Sequence, residues 1–593
     1  MIAVKPIKRL LNRFRGLADA IARYPLTTTF LLLAAIVNAV DISSEDNYSK
    51  LLITFIVGAF ISAVSQAAYE RYFSAQTSRL MLMSIASVLT AGYYLIIRTA
   101  PQLSMEINIR TSVALFALLI AFIWVPVIKS RISFNKSFMI TFKSLFNTLF
   151  FSGILYAGIS IIIAAIDQLI FPVDNTSYSH SANIVFILFA PMYFLSLIPV
   201  YPVTANQNEN IDEQERGIEN AAACPKFLVV LLSYIIIPLI AVFTIILLTY
   251  ILRNLTGEFW TDNLLEPMLV SYSITVIIVY ILVSEIENKF TFWFRRIFPK
   301  VLVPIVFFQI AASIMSISDT GIVHTRYYVI LFGIFAAVTG VLISFLSVRK
   351  NGLIAPILII FALVSIVPPV DAFTVSRNSQ TNILEEVLWK NKMLEGNSVK
   401  PNASISDQDK EAITKSMNYL VMMNYHKDIE WLPNDYNYDD FYPTFGFYEY
   451  YEPGDNKDMY IFLSLQENGT VDITEYDTFI HYHLNMEQDH NEKVTAFVKE
   501  AKDYSLVTEE NHDKVNMILL DENSEELISI DANEIFKRFY GYQSSKYTLT
   551  PDEATFTEEN DKAKMTFVVQ QINIQKDHEI YNNAVLFIFI KIK

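Results

Sequence analysis

The chain has 593 residues, 53% hydrophobic and only 18% charged, with 45 Lys/Arg against 60 Asp/Glu and a net charge of −15. A water-soluble chain carries about 25% charge, so a string of soluble domains is excluded, and the acidic balance argues against nucleic acid as a partner. Cys224 is the single cysteine, which excludes an internal disulfide framework.

The overall charge averages two different objects. Divided at Asp371, where the last long apolar run ends, residues 1–370 carry a net +6 and residues 371–593 a net −21. The first part reads as membrane and the second as water-soluble.

In chain order, residues 1–24 are basic and amphipathic. Ile7, Leu10, Leu11, Phe14, Leu17 and Ile21 fall on one face of a helix over 5–22, opposite lysines and arginines, which predicts a helix in the headgroup plane. A span needs about 20 mostly apolar residues. Eleven runs meet this near 25–41, 51–69, 80–98, 111–128, 145–166, 183–201, 227–251, 266–284, 301–317, 327–347 and 352–370. Pro126, Pro199, Pro238, Pro304 and Pro356 fall inside them, where membrane helices tolerate proline. Residues 288–298 mix Phe290, Trp293, Phe294 and Phe298 with Lys289, Arg295 and Arg296, and predict a second interfacial segment. The amino-terminal segment and the alternate loops on its side hold 20 Lys/Arg, the opposite loops 5. Basic loops stay cytoplasmic, so the amino terminus is expected there, and eleven crossings put residues 371–593 outside.

The acidic tail predicts an α+β domain. Helical spacing runs over 379–394 and again after Ser406, which with Asp409 resembles a capping box. Strand-like runs at 459–465 and 471–480 flank Asn468-Gly469, a hairpin signal. Further strands are expected at 515–520, 527–530, 566–574 and 585–592, with short helices at 490–502 and 532–539. The last strand is apolar enough to be central or covered. The predicted fold class is therefore an α-helical polytopic membrane bundle of about eleven transmembrane helices followed by an α+β extracytoplasmic soluble domain.

Chemical motifs are sparse. H-E-x-x-H, C-x-x-C, P-loop, dinucleotide and G-x-S-x-G signatures are all missing, which removes the commonest metalloprotease, ATPase, Rossmann and hydrolase readings, and no cofactor is predicted. Asp435, Asn437 and Asp439 match the start of a calcium loop, but Asp440 and Gly446 stand where that loop needs Gly and Glu. His481 and His483 alternate, so a strand would put both on one face, with no third ligand fixed. The stretch 431–451 is crowded with aromatics, more simply read as core than as a stacking surface. Asp319, His324, Arg326 and Tyr327 cluster between the ninth and tenth runs. Ionisable groups in such places are expensive, so Arg326, paired with Asp319 or a lipid phosphate, is the expected binding or structural focus.

Arg23-Tyr24-Pro25-Leu26-Thr27, Cys224-Pro225-Lys226-Phe227-Leu228, Gly321-Ile322-Val323-His324-Thr325-Arg326-Tyr327-Tyr328 and Phe373-Thr374-Val375-Ser376-Arg377-Asn378-Ser379-Gln380 occur in this order. That order resembles bacterial membrane proteins grouped as domain of unknown function 4153, over roughly residues 20–400. Thr320 stands where the family often has tyrosine. The resemblance implies a membrane location and architecture, without an activity to carry over.

The expectation is an envelope protein of the bacterial cytoplasmic (inner) membrane whose outer domain binds or senses an envelope glycan, lipid or protein, with membrane lipids as further partners. Two alternatives are weighed. One is a transferase acting on lipid-linked sugar or phospholipid at the outer face, with Asp41, Glu45 and Asp46 as the available carboxylates. The other is a small-substrate transporter.

Overall fold

Every predicted apolar run overlaps a helix. The computed structural model describes residues 16–44, 47–100, 102–201, 211–254, 265–396, 398–433, 436–437, 440–447, 449–450, 460–466, 470, 472–486, 493–511, 514–540, 548–575 and 582–593. The helices are α1 (Pro25–Ser43), α2 (Ser49–Tyr72), α3 (Gln76–Ile97), α4 (Met105–Val127), α5 (Phe134–Leu169), α6 (Thr176–Ser196), α7 (Ile211–Ala222), α8 (Lys226–Arg253), α9 (Leu265–Leu282), α10 (Lys289–Thr320), α11 (His324–Phe345), α12 (Val348–Ile366) and α13 (Ala372–Lys390). Among the described residues, ten of these are long and apolar enough to cross a membrane, and α9 adds the shorter apolar stretch Glu266–Leu282. This is the architecture of a polytopic membrane protein. Of the expected amino-terminal helix, the described part, residues 16–23, is helical.

The separate interfacial segment expected at 288–298 is corrected. Its aromatic and basic residues form the first turns of α10, which runs unbroken for 32 residues through Pro299 and Pro304. Asn288 starts it with a reciprocal capping box with Thr291, so the helix begins well before the apolar run does.

Hydrogen bonds between loops sort the bundle into two ends. At the first, Arg23 reaches Glu70 and the Ile198 carbonyl, and Arg79 reaches the Arg23 carbonyl. Arg71 holds the carbonyls of Ile128 and Lys129. Tyr201 bonds Ser137, Asn135 bonds the Val348 carbonyl, Asn351 bonds Ser284, and Asn288 bonds Ser233. At the other end Ser43 meets His180, Lys50 meets the Ala100 carbonyl, Ser313 meets Glu266, and Arg110 meets Ile366 and Asp371. The loops thus alternate ends along the chain. The chain enters α1 at the Arg23 end and leaves α12 at the Arg110 end.

Helices approach closely where side chains vanish. A Cβ on Gly333 of α11 would sit 2.8 Å from Ile310 Cγ1 of α10, and one on Gly340 would sit 2.9 Å from Val303 Cγ2. Small residues let membrane helices pack backbone to backbone.

The chain divides into compact units Met1–Gln380 and Thr381–Lys593. The second contains α14 (Asp407–Met422), α15 (Phe441–Phe445), α16 (Ala532–Lys537), α17 (Pro551–Ala554) and twelve strands: β1 (Leu394–Glu395), β2 (Ser398–Val399), β3 (Tyr460–Leu465), β4 (Thr478–Asn485), β5 (Lys493–Lys499), β6 (Lys502–Asn511), β7 (Lys514–Leu520), β8 (Glu526–Asp531), β9 (Thr548–Leu549), β10 (Thr555–Glu559), β11 (Ala563–Gln575) and β12 (Asn583–Ile592). One sheet runs β4-β12-β11-β3-β9 with β10 also on β11, and the other is the meander β5-β6-β7-β8. Leu463, Ile480, Leu484, Leu586 and Ile588 of the first share one core with Leu506, Met517, Leu519 and Ile530 of the second. As its apolarity predicts, β12 is central, between β4 and β11.

Two expectations for this unit are corrected. The predicted hairpin of 459–465 with 471–480 does not form: β3 pairs with β11 and β9, and β4 pairs with β12. Asn468 and Gly469 lie outside the described residues. The 13-residue β11 and the apolar β12 are longer partners than β3 and β4 could offer one another. The helix expected at 490–502 is instead β5 turning into β6. Glu500 and Ala501 form the turn at φ 50° and 63°, the positive values that a two-residue hairpin demands.

In the second unit Ser406 caps α14 by accepting the Asp409 N–H at 3.2 Å. The Asp409 carboxylate takes Lys390 Nζ at 2.8 Å and Asn391 Nδ2 at 3.1 Å. Burial alone would raise its pKa, but these donors hold it below the usual carboxylate range. A depressed carboxylate stabilises the fold above its unfolded pKa of about 3.9, and that contribution is lost as pH falls through the folded value.

Two results are expected from thermal unfolding of the full chain. Gly333→Leu should destabilise the bundle by about 1–3 kcal/mol through overpacking. Asp409→Asn should lower the melting temperature of the second unit at neutral pH, with the difference from wild type shrinking as pH drops below about 4.

Candidate functional site

The predicted focus lies at the Arg110 end, where α10 stops and α11 begins. Gly321, at φ 69°, ends α10 by donating to the Ile317 carbonyl at 2.8 Å, a conformation that glycine adopts without a Cβ penalty. After a three-residue turn, α11 opens at His324. Arg326, 7% exposed, reaches back to the Ser316 carbonyl at 2.8 Å and to Thr320 Oγ1. A guanidinium there meets the negative end of the α10 dipole. Thr320 thus serves as an acceptor for Arg326.

The segment after the last span docks on the same place. Ser379 accepts the Ile322 N–H at 3.0 Å, and Gln380 donates to the Thr320 carbonyl at 2.9 Å. Phe373 stacks on buried His324 with ring centroids 5.8 Å apart, and Tyr328 meets it edge-on at 6.4 Å. Tyr327 donates to the Val370 carbonyl at 2.5 Å.

Beneath this lies a buried ion pair. Asp371 has no exposed surface. Its Oδ1 caps α13 by accepting the N–H groups of Phe373 and Thr374 at 3.0 and 3.2 Å. It also takes Arg110 NH2 at 2.6 Å. Arg110 further binds Glu106 at 2.8 Å and the Ile366 carbonyl, with its guanidinium carbon 5.0 Å from the Phe373 ring centre. Asp371 Oδ2 has no hydrogen-bond partner among the described residues.

His324, Arg326 and Tyr327 stand together in the first turn of α11, against the segment after the last span. The backbone of Asp319 is helical, but its side chain, and with it the expected Arg326–Asp319 pair, lies outside the described residues. Sequence reasoning missed Arg110, Glu106 and Asp371 as site residues. The available signal was Arg110 itself, one of five basic residues in the loops of that end.

The remaining expectations are more dispersed. Asp41 Oδ1 accepts the Tyr48 N–H at 2.6 Å, closing the α1–α2 loop. Glu45, Asp46, Asp435 and Asp439 lie outside the described residues. Asn437 donates its N–H to Asp440 at 2.9 Å, and Gly446 is the left-handed cap of α15. In the aromatic stretch, Tyr436, Phe441, Phe445 and Phe447 are buried core. His481 and His483 share the exposed face of β4 with ring centroids 5.0 Å apart, and His481 bonds Gln570 at 3.2 Å. Among the described residues no group of three or more His, Cys, Asp or Glu stands together as a metal site.

A second buried network was also missed, at the Arg23 end. Arg23 grips Glu70 bidentately at 2.7 and 2.8 Å, and Gln66 links Glu70 to Arg79. Both networks cap helix ends and tie loops together. Neither pairs a nucleophile with a base.

Removing Arg110 leaves a buried carboxylate uncompensated. Arg110→Ala should cost about 3–5 kcal/mol, while Arg110→Met with Asp371→Leu should recover most of it, read by thermal unfolding in detergent.

Compared with known families, residues 28–385 match the domain of unknown function DUF4153. No curated protein and no solved structure matches the chain. The match takes in ten of the eleven predicted runs entire and nearly all of the first, the Arg326 turn and the docked Phe373–Gln380 segment. The chain belongs to the DUF4153 family.

Proposed function

We propose that this protein is an envelope protein of the bacterial cytoplasmic membrane, with its amino terminus inside and Thr381–Lys593 outside, where that unit binds an envelope component. Orientation rests on the basic loops: by sequence, the amino-terminal segment and the alternate loops on its side hold 20 Lys/Arg and the opposite loops 5.

The observation that carries the binding role is a ring ladder on the outward face of the first sheet of the second unit. Phe479 is 53% exposed, and His481 and His483 follow it on the same face of β4. Phe587 of β12 sits across from His481, its ring 5.4 Å from His481 and 5.6 Å from Phe479. Val585 lies opposite His483. The alternate residues Ile480, Tyr482 and Leu484 point into the core, against which Phe587 also packs in part, while Phe479, His481 and His483 stay exposed. Contiguous exposed rings mark interaction surfaces. They offer flat apolar faces for a sugar ring or an apolar side chain, with imidazole edges for its polar groups. Of the carboxylates available to a transferase at the outer face, Asp41 closes a loop, and Glu45 and Asp46 lie outside the described residues.

A photoreactive residue placed at Phe479 in living cells should give a discrete adduct with an envelope glycan, lipid or protein, and one at Glu522 in the β7–β8 turn should not. Adducts that are absent at Phe479, or equal at both positions, would refute the binding role.

A further inference from the structure

At the Arg23 end of the bundle lies a cavity of about 160 Å³, walled by three stretches that are far apart in sequence. The first turns of α5 give Asn135, Lys136 and Met139. The end of α7 and the turn after it give Glu219, Ala222, Ala223 and Cys224. The end of α9 gives Leu282, Glu285 and Ile286. A single water needs roughly 10–15 Å³ on this measure, so the space admits a small organic group.

Its lining has a definite polarity. Met139, Leu282 and Ile286 make apolar walls, and the ionisable groups are two carboxylates, one ammonium and the Cys224 thiol. Lys136 is already paired with Glu219 at 3.1 Å. Lys143, next along α5, is committed to the carbonyls of Ala221 and Ala223 and so fixes the turn that carries Cys224. Glu285 accepts the Ser133 hydroxyl at 2.9 Å, and among the described residues no cation lies within ion-pair distance of it. A carboxylate has about four acceptor positions, so Glu285 retains capacity toward the cavity. An anion would have to displace Glu219 from Lys136. A metal ion finds no third ligand, since no group of three or more ligating side chains occurs among the described residues.

We propose that this cavity binds a primary ammonium group on a short stem, with Glu285 as its main acceptor and Glu219 as the second. Three N–H donors suit two carboxylates, and the apolar walls suit the methylenes of the stem. The site lies at the ends of apolar helices, where lipid headgroups are expected, so the ammonium can come from an ethanolamine phospholipid or from a free amine.

Cys224 lines the same cavity and is the chain's single cysteine, which makes it a built-in reporter. The full chain is reconstituted in phosphatidylcholine vesicles, and the rate of Cys224 labelling by a membrane-permeant maleimide is measured. One arm adds free ethanolamine, and the other replaces part of the lipid with phosphatidylethanolamine. Protection in at least one arm is expected, and which arm protects identifies the source. In Glu285→Gln the concentration needed for protection should rise about tenfold, the size of one charge-assisted hydrogen bond, whereas choline, which lacks N–H donors, should protect neither protein. Unchanged labelling in both arms would overturn the proposal. So would equal protection of Glu285→Gln, or protection by choline. A thiol that fails to label in the native protein while labelling after unfolding would contradict an open cavity and overturn it as well.

Discussion

A fully buried aspartate sets the constraint on which the membrane unit depends. Asp371 stands where the chain leaves its last span, and an ionised carboxylate there is tolerable only with a cation against it. Arg110, from the first turns of α4, supplies that cation at 2.6 Å. The pair ties the exit of the bundle to the α3–α4 end and starts α13 through the capped N–H groups of Phe373 and Thr374. The α10–α11 turn then seats on α13 through Ser379, Gln380 and the His324–Phe373 stack. The first turns of α13 are thereby held against the bundle.

The opposite end is fixed by a matching device with different parts. The Arg23–Glu70 pair and the Arg71 and Arg79 bonds join four loops. Arg23, Arg71 and Arg79 each donate to backbone carbonyls at or just past the carboxyl end of a helix. Arg23, Arg71 and Arg79, whose bonds lock these loops, are among the basic residues on which the proposed orientation rests.

Much of this was legible in the chain itself. A run of about 20 apolar residues in a bilayer has to become a helix, because its backbone must satisfy itself, and so all eleven runs found helices. His324, Arg326 and Tyr327 drew attention because polar and charged groups beside apolar runs stand out. The Arg110–Asp371 pair was not, because its members are 261 residues apart and only the packing of α4 against α12 brings them together. The same kind of failure explains the second unit. The Asn468-Gly469 signal is local, but β3 and β4 are placed by the long central strands β11 and β12, whose partners come from distant sequence. The Glu500-Ala501 turn escaped notice because neither residue advertises a positive φ.

The proposal that the amino terminus lies inside and Thr381–Lys593 outside rests on an odd number of crossings. It is tested most directly by sidedness labelling of intact cells with a membrane-impermeant maleimide, after Cys224→Ser, with single reporter cysteines at Ala75, Asn175 and Glu522. The account predicts that Asn175 and Glu522 label from outside while Ala75 labels only after the membrane is opened. Labelling of Glu522 together with Ala75, and apart from Asn175, would contradict it.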